Sequence, residues 1–358
     1  MKKQDLTLAL TLGDPGGIGP EIILKALYQH RWPDRVRFVI IGSRTVVARQ
    51  ARQLNLPMPN MARAFPASAR LPAPKADPHL PNVILWEPAP ADAHAQGRPY
   101  RTIPCPWTPG QTGRTQGLAA AQWIRAAVDG CLAGRFAGMV TAPICKKSLS
   151  LAGLPFPGHT EYLAHLTETD EFAMMLMSKS LRVILATRHL ALKQVPGALT
   201  AQALTTAITL SAQALKWLKV KNPTVGVCAL NPHAGDQGLL GNEEIRIIRP
   251  TVHRLQRQGL PVEGPIPGDV IFYHALRGRY GAVVALYHDQ GLGPLKMLDF
   301  DTGINLTLGL PILRVSPDHG TAFDIAGQNT ANPASLIVAI QTALRLAQCP
   351  NPWMRNER

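Results

Sequence analysis

Aromatic side chains make up only 6% of this 358-residue chain, and charged ones 17%. With 46% apolar residues, this composition excludes a disordered tail or a long coiled coil and leaves mass for two core-bearing lobes. Cysteine is sparse. Cys105, Cys131, Cys145, Cys228 and Cys349 are scattered and form no C-x-x-C pair, which excludes a disulfide framework and a zinc ribbon. No apolar run is long enough to span a membrane. Leu6 to Leu12 behind Lys2 and Lys3 imitates a signal peptide, but it alternates with Thr7 and Thr11. It then meets Gly13-Asp14-Pro15 with no small-residue cleavage site, so the expected location is cytoplasmic. Acidic residues are outnumbered, 23 against 37 Lys and Arg, for a net charge of +14. No run of Lys or Arg exceeds two residues. The positive field is therefore diffuse, suited to small anions and not to nucleic acid.

What is present is an alternation of strands and helices. Leu6, Leu8, Leu10 and Leu12 alternate as a strand does, and Pro20-Glu21 opens a helix after a glycine-rich turn, Gly13 to Gly19. Val36–Ile41 reads as a buried strand and 44–54 as a helix. Thirteen of the 32 prolines fall between Pro57 and Pro109, which predicts an irregular surface excursion over about 57–110 with one strand at Asn82–Trp86. Further on, a helix is expected over Thr115–Leu132 and a strand over Phe136–Thr141. Phe172–Met177 and Leu181–Thr187 read as paired strands, and 200–217 as a helix. Strands follow at Val225–Leu230, Ala282–Tyr287, Asn305–Leu308 and Ile312–Val315, and 333–347 is a closing helix. The pattern is α/β with largely parallel sheets.

His189, His233 and His288 each follow an apolar strand-like run, where open α/β sheets collect ligands and catalytic groups. Taken singly, each reads as a structural histidine. Together, flanked by Asn231, Asp236, Asp289 and Gln290, they read as a divalent metal site with open positions. A second group, placed in loops and in the C-terminal quarter, suits anions: His159 and Thr160 after Phe156-Pro157-Gly158, then Lys296, Asn305 and Arg314. The Gly13–Gly19 turn is either an anion cradle at a helix start or a plain tight corner. It matches neither the dinucleotide fingerprint nor the ATP loop.

These segments resemble the 4-hydroxythreonine-4-phosphate dehydrogenase family of vitamin B6 biosynthesis. The matching stretches are Leu12-Gly-Asp-Pro-Gly-Gly-Ile-Gly-Pro-Glu21, Thr141-Ala-Pro-Ile, Phe156-Pro-Gly-His-Thr-Glu161, Leu181-Arg-Val with His189, and Asn231-Pro-His-Ala-Gly235. They continue in Gly264-Pro265, Tyr287-His-Asp-Gln-Gly-Leu292, Asn305-Leu-Thr-Leu-Gly-Leu-Pro311, and Asp318-His-Gly-Thr321 with Ala326-Gly327. The resemblance implies a two-lobed fold like the isocitrate and isopropylmalate dehydrogenases. Residues 1–140 and 300–358 are expected in one lobe and 141–299 in a second that carries the histidines, with the active-site cleft between lobes. It implies a homodimer with active sites at the subunit interface, one divalent ion (zinc, magnesium or cobalt) on His189, His233 and His288, and NAD or NADP bound without a glycine fingerprint. The phosphorylated substrate falls to His159, Thr160, Lys296, Asn305 and Arg314.

The implied reaction is oxidation and decarboxylation of 4-phosphooxy-L-threonine to 3-amino-2-oxopropyl phosphate. The hydroxyl proton has three candidate acceptors: Lys296, Asp289 and His159. Departures from the family pattern are Cys145 where Asn is usual, Gln290-Gly-Leu-Gly-Pro294 where a Gln-Gly-Leu-Pro turn is usual, Asp236 for Glu, and Ser316-Pro317 for Ser-Val. They bear on substrate identity more than on reaction type. The same chemistry on 4-phosphothreonate or 4-phosphoerythronate is the near alternative, and a metal-dependent lyase without nicotinamide the distant one.

Overall fold

The computed structural model describes residues 5–62, 81–88, 100 and 103–354. The chain divides into two compact units, Met1–Glu168 with Leu310–Cys349, and Thr169–Gly309 with Pro350–Met354. Residues 141–168, expected in the second lobe, thus fall in the first unit, and 300–309 fall in the second. Pairing explains both shifts. The helices Lys146–Leu151 and His159–Leu166 lie against the first unit's helix Arg114–Leu132, and the strand Ile304–Leu308 pairs with Ala173–Met177.

The first unit carries β1 (Leu6–Thr11), β2 (Val36–Ile41), β3 (Asn60–Ala62), β4 (Asn82–Trp86), β5 (Gly138–Thr141) and β12 (Arg314–Pro317). Their order is β3-β4-β2-β1-β5-β12, parallel throughout. The second unit carries β6 (Ala173–Met177), β7 (Arg182–Leu185), β8 (Val225–Cys228), β9 (Val262–Ile266), β10 (Ala282–Ala285) and β11 (Ile304–Leu308). Here the order is β11-β6-β7-β10-β8-β9, antiparallel at β11-β6-β7 and parallel beyond. Strands in such parallel arrays are covered on both faces and are apolar nearly throughout. Leu8, Leu10, Phe38, Ile40 and Val140 in the first unit, and Val183, Val227, Val283 and Val284 in the second, are fully buried.

Of the proline-rich stretch, 63–80, 89–99 and 101–102 lie outside the described residues. The described parts include β4 as expected and the short β3, which the prolines on either side hid. The strand expected at Ile312–Val315 pairs instead from Arg314, opposite Met139. The apolar run marks where burial begins, whereas pairing starts two residues later. β9 was not expected because Gly264 and Pro265 interrupt it. It is the last strand of its array, with a register shift between Gly226 and Cys228, where a proline costs no ladder bond. The expected turn at Gln290–Pro294 lies inside a helix, His288–Leu298, with Pro294 in its interior.

Candidate active site

In the first unit, β5 and β12 deliver Thr141 and Arg314 side by side. Arg314 is 2% exposed, and its Nε and Nη2 donate to the Thr141 hydroxyl at 3.1 and 2.8 Å. Burial pushes the guanidinium down to about 9, with the Glu161 carboxylate acting in the opposite sense. His159 and Thr160 are not in a loop. They open the helix His159–Leu166, behind Gly158 in extended backbone, and so lie in the first turn, where a helix leaves N–H groups without intrahelical partners. Thr160 is buried. The His159 imidazole is held well below its usual pKa, first by burial and then by Arg314. Its Nε2 is buried without a hydrogen-bond partner. A buried cation, a helix N-terminus and an unsatisfied ring nitrogen are together chemically suited to an anion.

The Gly13–Gly19 corner lies in the same unit, and its glycines are needed for close packing. A Cβ on Gly13 would stand 2.2 Å from Pro143 O, on Gly16 2.2 Å from Gln111 O, and on Gly19 2.1 Å from Leu12 O. Several of its amides are also spent. Gly16 N–H goes to Asp14 Oδ1, Gly17 N–H to Asp14 O, and Ile18 N–H to Thr321 O. The plain tight corner is the reading that fits. Asp14, fully buried here, has its pKa raised by burial, against the Ser148 hydroxyl and the Gly16 amide.

The second unit places the three histidines just past β7, β8 and β10, and cross-links those strand ends. Thr187 Oγ1 donates to Leu286 O at 2.6 Å, Leu286 N–H to Gln290 Oε1 at 2.7 Å, and Gln290 Nε2 to Ala229 O at 2.7 Å. The rings of His189 and His288 have centroids 5.7 Å apart. Two imidazoles on one tetrahedral ion stand about 5 Å apart, given metal–nitrogen bonds of about 2.1 Å. Nδ1 of His288 is 2.7 Å from Asp289 Oδ1, which directs Nε2 away from the carboxylate and is how metal-bound histidines are commonly oriented. The donor set fits a divalent ion, although among the described residues no three His, Cys, Asp or Glu of this chain close around one point.

His233 stands on an unusual backbone. It and Ala234, Gly235, Asp236 and Gln237 form a run of left-handed residues, with φ from 42 to 79°. Each non-glycine residue so placed costs about 1–2 kcal/mol. Asn305, 7% exposed on β11, has its Oδ1 buried and unpartnered. Lys296 sits on the helix His288–Leu298 with its ammonium 5.3 Å from the Phe300 ring centroid. Thr141 and Glu161 lie in the matching motifs and Thr187 ends an expected strand, but the sequence assigns none of them a role. Only their positions at a strand end or first helical turn could have marked them.

The model of the family described as pyridoxal phosphate biosynthetic protein PdxA matches residues 34–343. A "4-hydroxythreonine-4-phosphate dehydrogenase" of Desulfosudis oleivorans is 41% identical over 345 residues, 96% of each chain. A "Putative D-threonate 4-phosphate dehydrogenase" of Oceanobacillus iheyensis is 37% identical over 341 residues, covering 95% of this chain and 97% of its own. Among solved structures, the 4-hydroxythreonine-4-phosphate dehydrogenase of Klebsiella pneumoniae superposes with a TM-score of 0.78 at 38% identity. That match covers 96% of this chain and all of the other.

Proposed function

Because the chain belongs to the PdxA family of pyridoxal phosphate biosynthetic proteins, a family of dehydrogenases, we propose that it oxidises and decarboxylates 4-phosphooxy-L-threonine with NAD or NADP and one divalent ion. The observation that carries this reading is the buried Arg314 beside the unpartnered His159 Nε2, a site whose charge calls for a phosphate. Arg314, Thr160 and His159 hold that phosphate, and Lys296 and Asn305 bind the remainder of the substrate. Removing Arg314's positive charge from water is costly, and a bound phosphate offsets that cost through charge-assisted hydrogen bonds.

His189, His233 and His288 would hold the ion, which we take to be zinc, magnesium or cobalt. When bound, the ion lowers the pKa of the substrate hydroxyl and the nicotinamide accepts the hydride. The amides of Asp14, Gly16, Gly17 and Ile18 are already bonded within the protein, so the glycine corner offers the dinucleotide few donors. Of the three candidate proton acceptors, Asp289 orients His288 and His159 faces Arg314 in the anion seat. That leaves Lys296 to take the hydroxyl proton. Oxidation at the carbon β to the carboxylate yields a β-keto acid, which loses carbon dioxide to give 3-amino-2-oxopropyl phosphate.

A second copy of the chain supplies the rest of the site. Support for a homodimer lies in the second unit, where apolar side chains flank the chemistry in the open. Leu239 is 82% exposed near His233, and Met297 and Phe300 are 83 and 76% exposed around Lys296. The five free thiols favour a reducing compartment, the cytoplasm. Among the described residues no helix is long and apolar enough to cross a membrane.

The test is NADH or NADPH formation with 4-phosphooxy-L-threonine, 4-phosphothreonate and 4-phosphoerythronate in the presence of a divalent ion. Preference for the amino acid is expected. The relative named for D-threonate 4-phosphate supports the second reading, and preference for a sugar acid would establish it. Silence on all three would favour a lyase.

A further inference from the structure

We propose that Glu244 is the positioning residue for His233. The inference rests on the reading of His233 as a metal ligand. Glu244 is fully buried at the start of a π-helical turn, Glu244–Ile248, an irregularity frequent at functional sites. Its carboxylate is spent on the segment that leads into His233. Oε1 accepts the N–H groups of Leu230 and Asn231, both at 2.8 Å, and Oε2 accepts Asn231 Nδ2 at 3.0 Å. Asn231 Nδ2 also reaches Glu243 Oε2 at 2.8 Å.

The same carboxylate touches the chain on the far side of the histidine. A Cβ on Gly235, which has φ +79°, would stand 2.8 Å from Glu244 Oε2. Glu244 therefore grips the backbone two residues before His233 and abuts it two residues after. The left-handed run from His233 to Gln237 lies outside the strands, and its far end accepts local bonds from Leu239 and Leu240 N–H at Asp236 O and Gly235 O. Glu244 ties the near end, and this grip fixes which way the imidazole is presented. A carboxylate suits the task because it accepts at both oxygens. An amide must turn a donor toward either the two N–H groups or Asn231 Nδ2.

The test compares Co2+ affinity by equilibrium dialysis for the full-length wild type, Glu244→Gln, His233→Ala and the double variant. Glu244→Gln is expected to weaken Co2+ binding about 10-fold or more, as loss of supporting partners around a metal ligand does. The double variant should bind no worse than His233→Ala, because both changes act through one imidazole. Wild-type affinity in Glu244→Gln alongside loss in His233→Ala would overturn the positioning role and leave the ligand assignment standing. Wild-type affinity in His233→Ala would overturn the assignment and this inference with it. Should Glu244→Gln fail to fold, Asn231→Ala removes one link of the same grip and should weaken Co2+ in the same direction. Unchanged binding there would overturn the proposal.

Discussion

The two units place their functional groups in opposite surroundings. The first buries its proposed anion seat, with Arg314 2% exposed and Thr160 4%. The second leaves its histidines near water, with the side chain of His288 40% exposed and that of Asp289 88%. A buried guanidinium is a preorganised site, since its desolvation has already been suffered on folding and the ligand recovers part of it. The imidazoles share this unit with exposed Leu239, Met297 and Phe300, the apolar side chains that a second copy of the chain would cover under the homodimer proposal. The comparison breaks most directly through paired variants. Arg314→Ala should weaken inorganic phosphate by at least about 100-fold, the loss of two charge-assisted hydrogen bonds, and leave Co2+ affinity unchanged. His288→Ala should do the reverse. Calorimetric titration of both ligands on both variants checks it, and a shared loss would mean that the two sets are not separable.

Acid sharpens the contrast. His159 is kept neutral in the fold, its pKa below 6.5 because of burial and Arg314. Above pH 6.5 neither state holds the proton, and the neutral ring costs the fold nothing. As pH falls through 6.5 the unfolded chain binds a proton that the folded chain refuses, so stability declines. The slope from this group is at most about 1.4 kcal/mol per pH unit. Thermal midpoints taken from about pH 7.5 to pH 5 should fall more steeply in the wild type than in His159→Gln. Equal slopes would place the acid sensitivity elsewhere. Arg314, the charge that acts on His159, is present in both proteins, so the difference isolates the imidazole.

The same contrast governs what was legible in the sequence. Strand-end histidines could be read because the apolar runs before them are covered on both faces and show as such. The placement of all three after β7, β8 and β10 follows directly. Where backbone irregularity interrupts the pattern, legibility failed. Gly264 and Pro265 hid β9, and Pro294 hid the helix that carries Lys296. His159 read as a loop residue because Pro157 and Gly158 precede it, and the same Gly158 turns out to be the helix cap. Glu244 was invisible for a different reason. It lies in a polar stretch, Gly241 to Glu244, and only tertiary packing buries its carboxylate against Leu230 and Asn231. The glycine corner shows the converse, since glycines that could serve a ligand are here required by neighbouring carbonyls.

A smaller effect lies at Cys145, where the family usually has Asn. Cys145 is the N-cap of the helix Lys146–Leu151, with extended backbone at φ −96° and ψ 119° and no side-chain capping bond. That backbone is the one an Asn cap requires, so the substitution needs no rearrangement, and Asn Oδ1 can accept an N–H from the first turn. Cys145→Asn should raise stability by about 0.5–1 kcal/mol, the usual value of a gained cap, seen as a small upward shift in the thermal midpoint. Cys145 follows the Thr141-Ala-Pro-Ile stretch at the end of β5, and Thr141 contacts Arg314. If the thiol only caps the helix poorly, phosphate affinity stays as in the wild type. A change in phosphate affinity without a gain in stability would instead assign Cys145 to the anion seat, enlarging the closed site of the first unit by one residue.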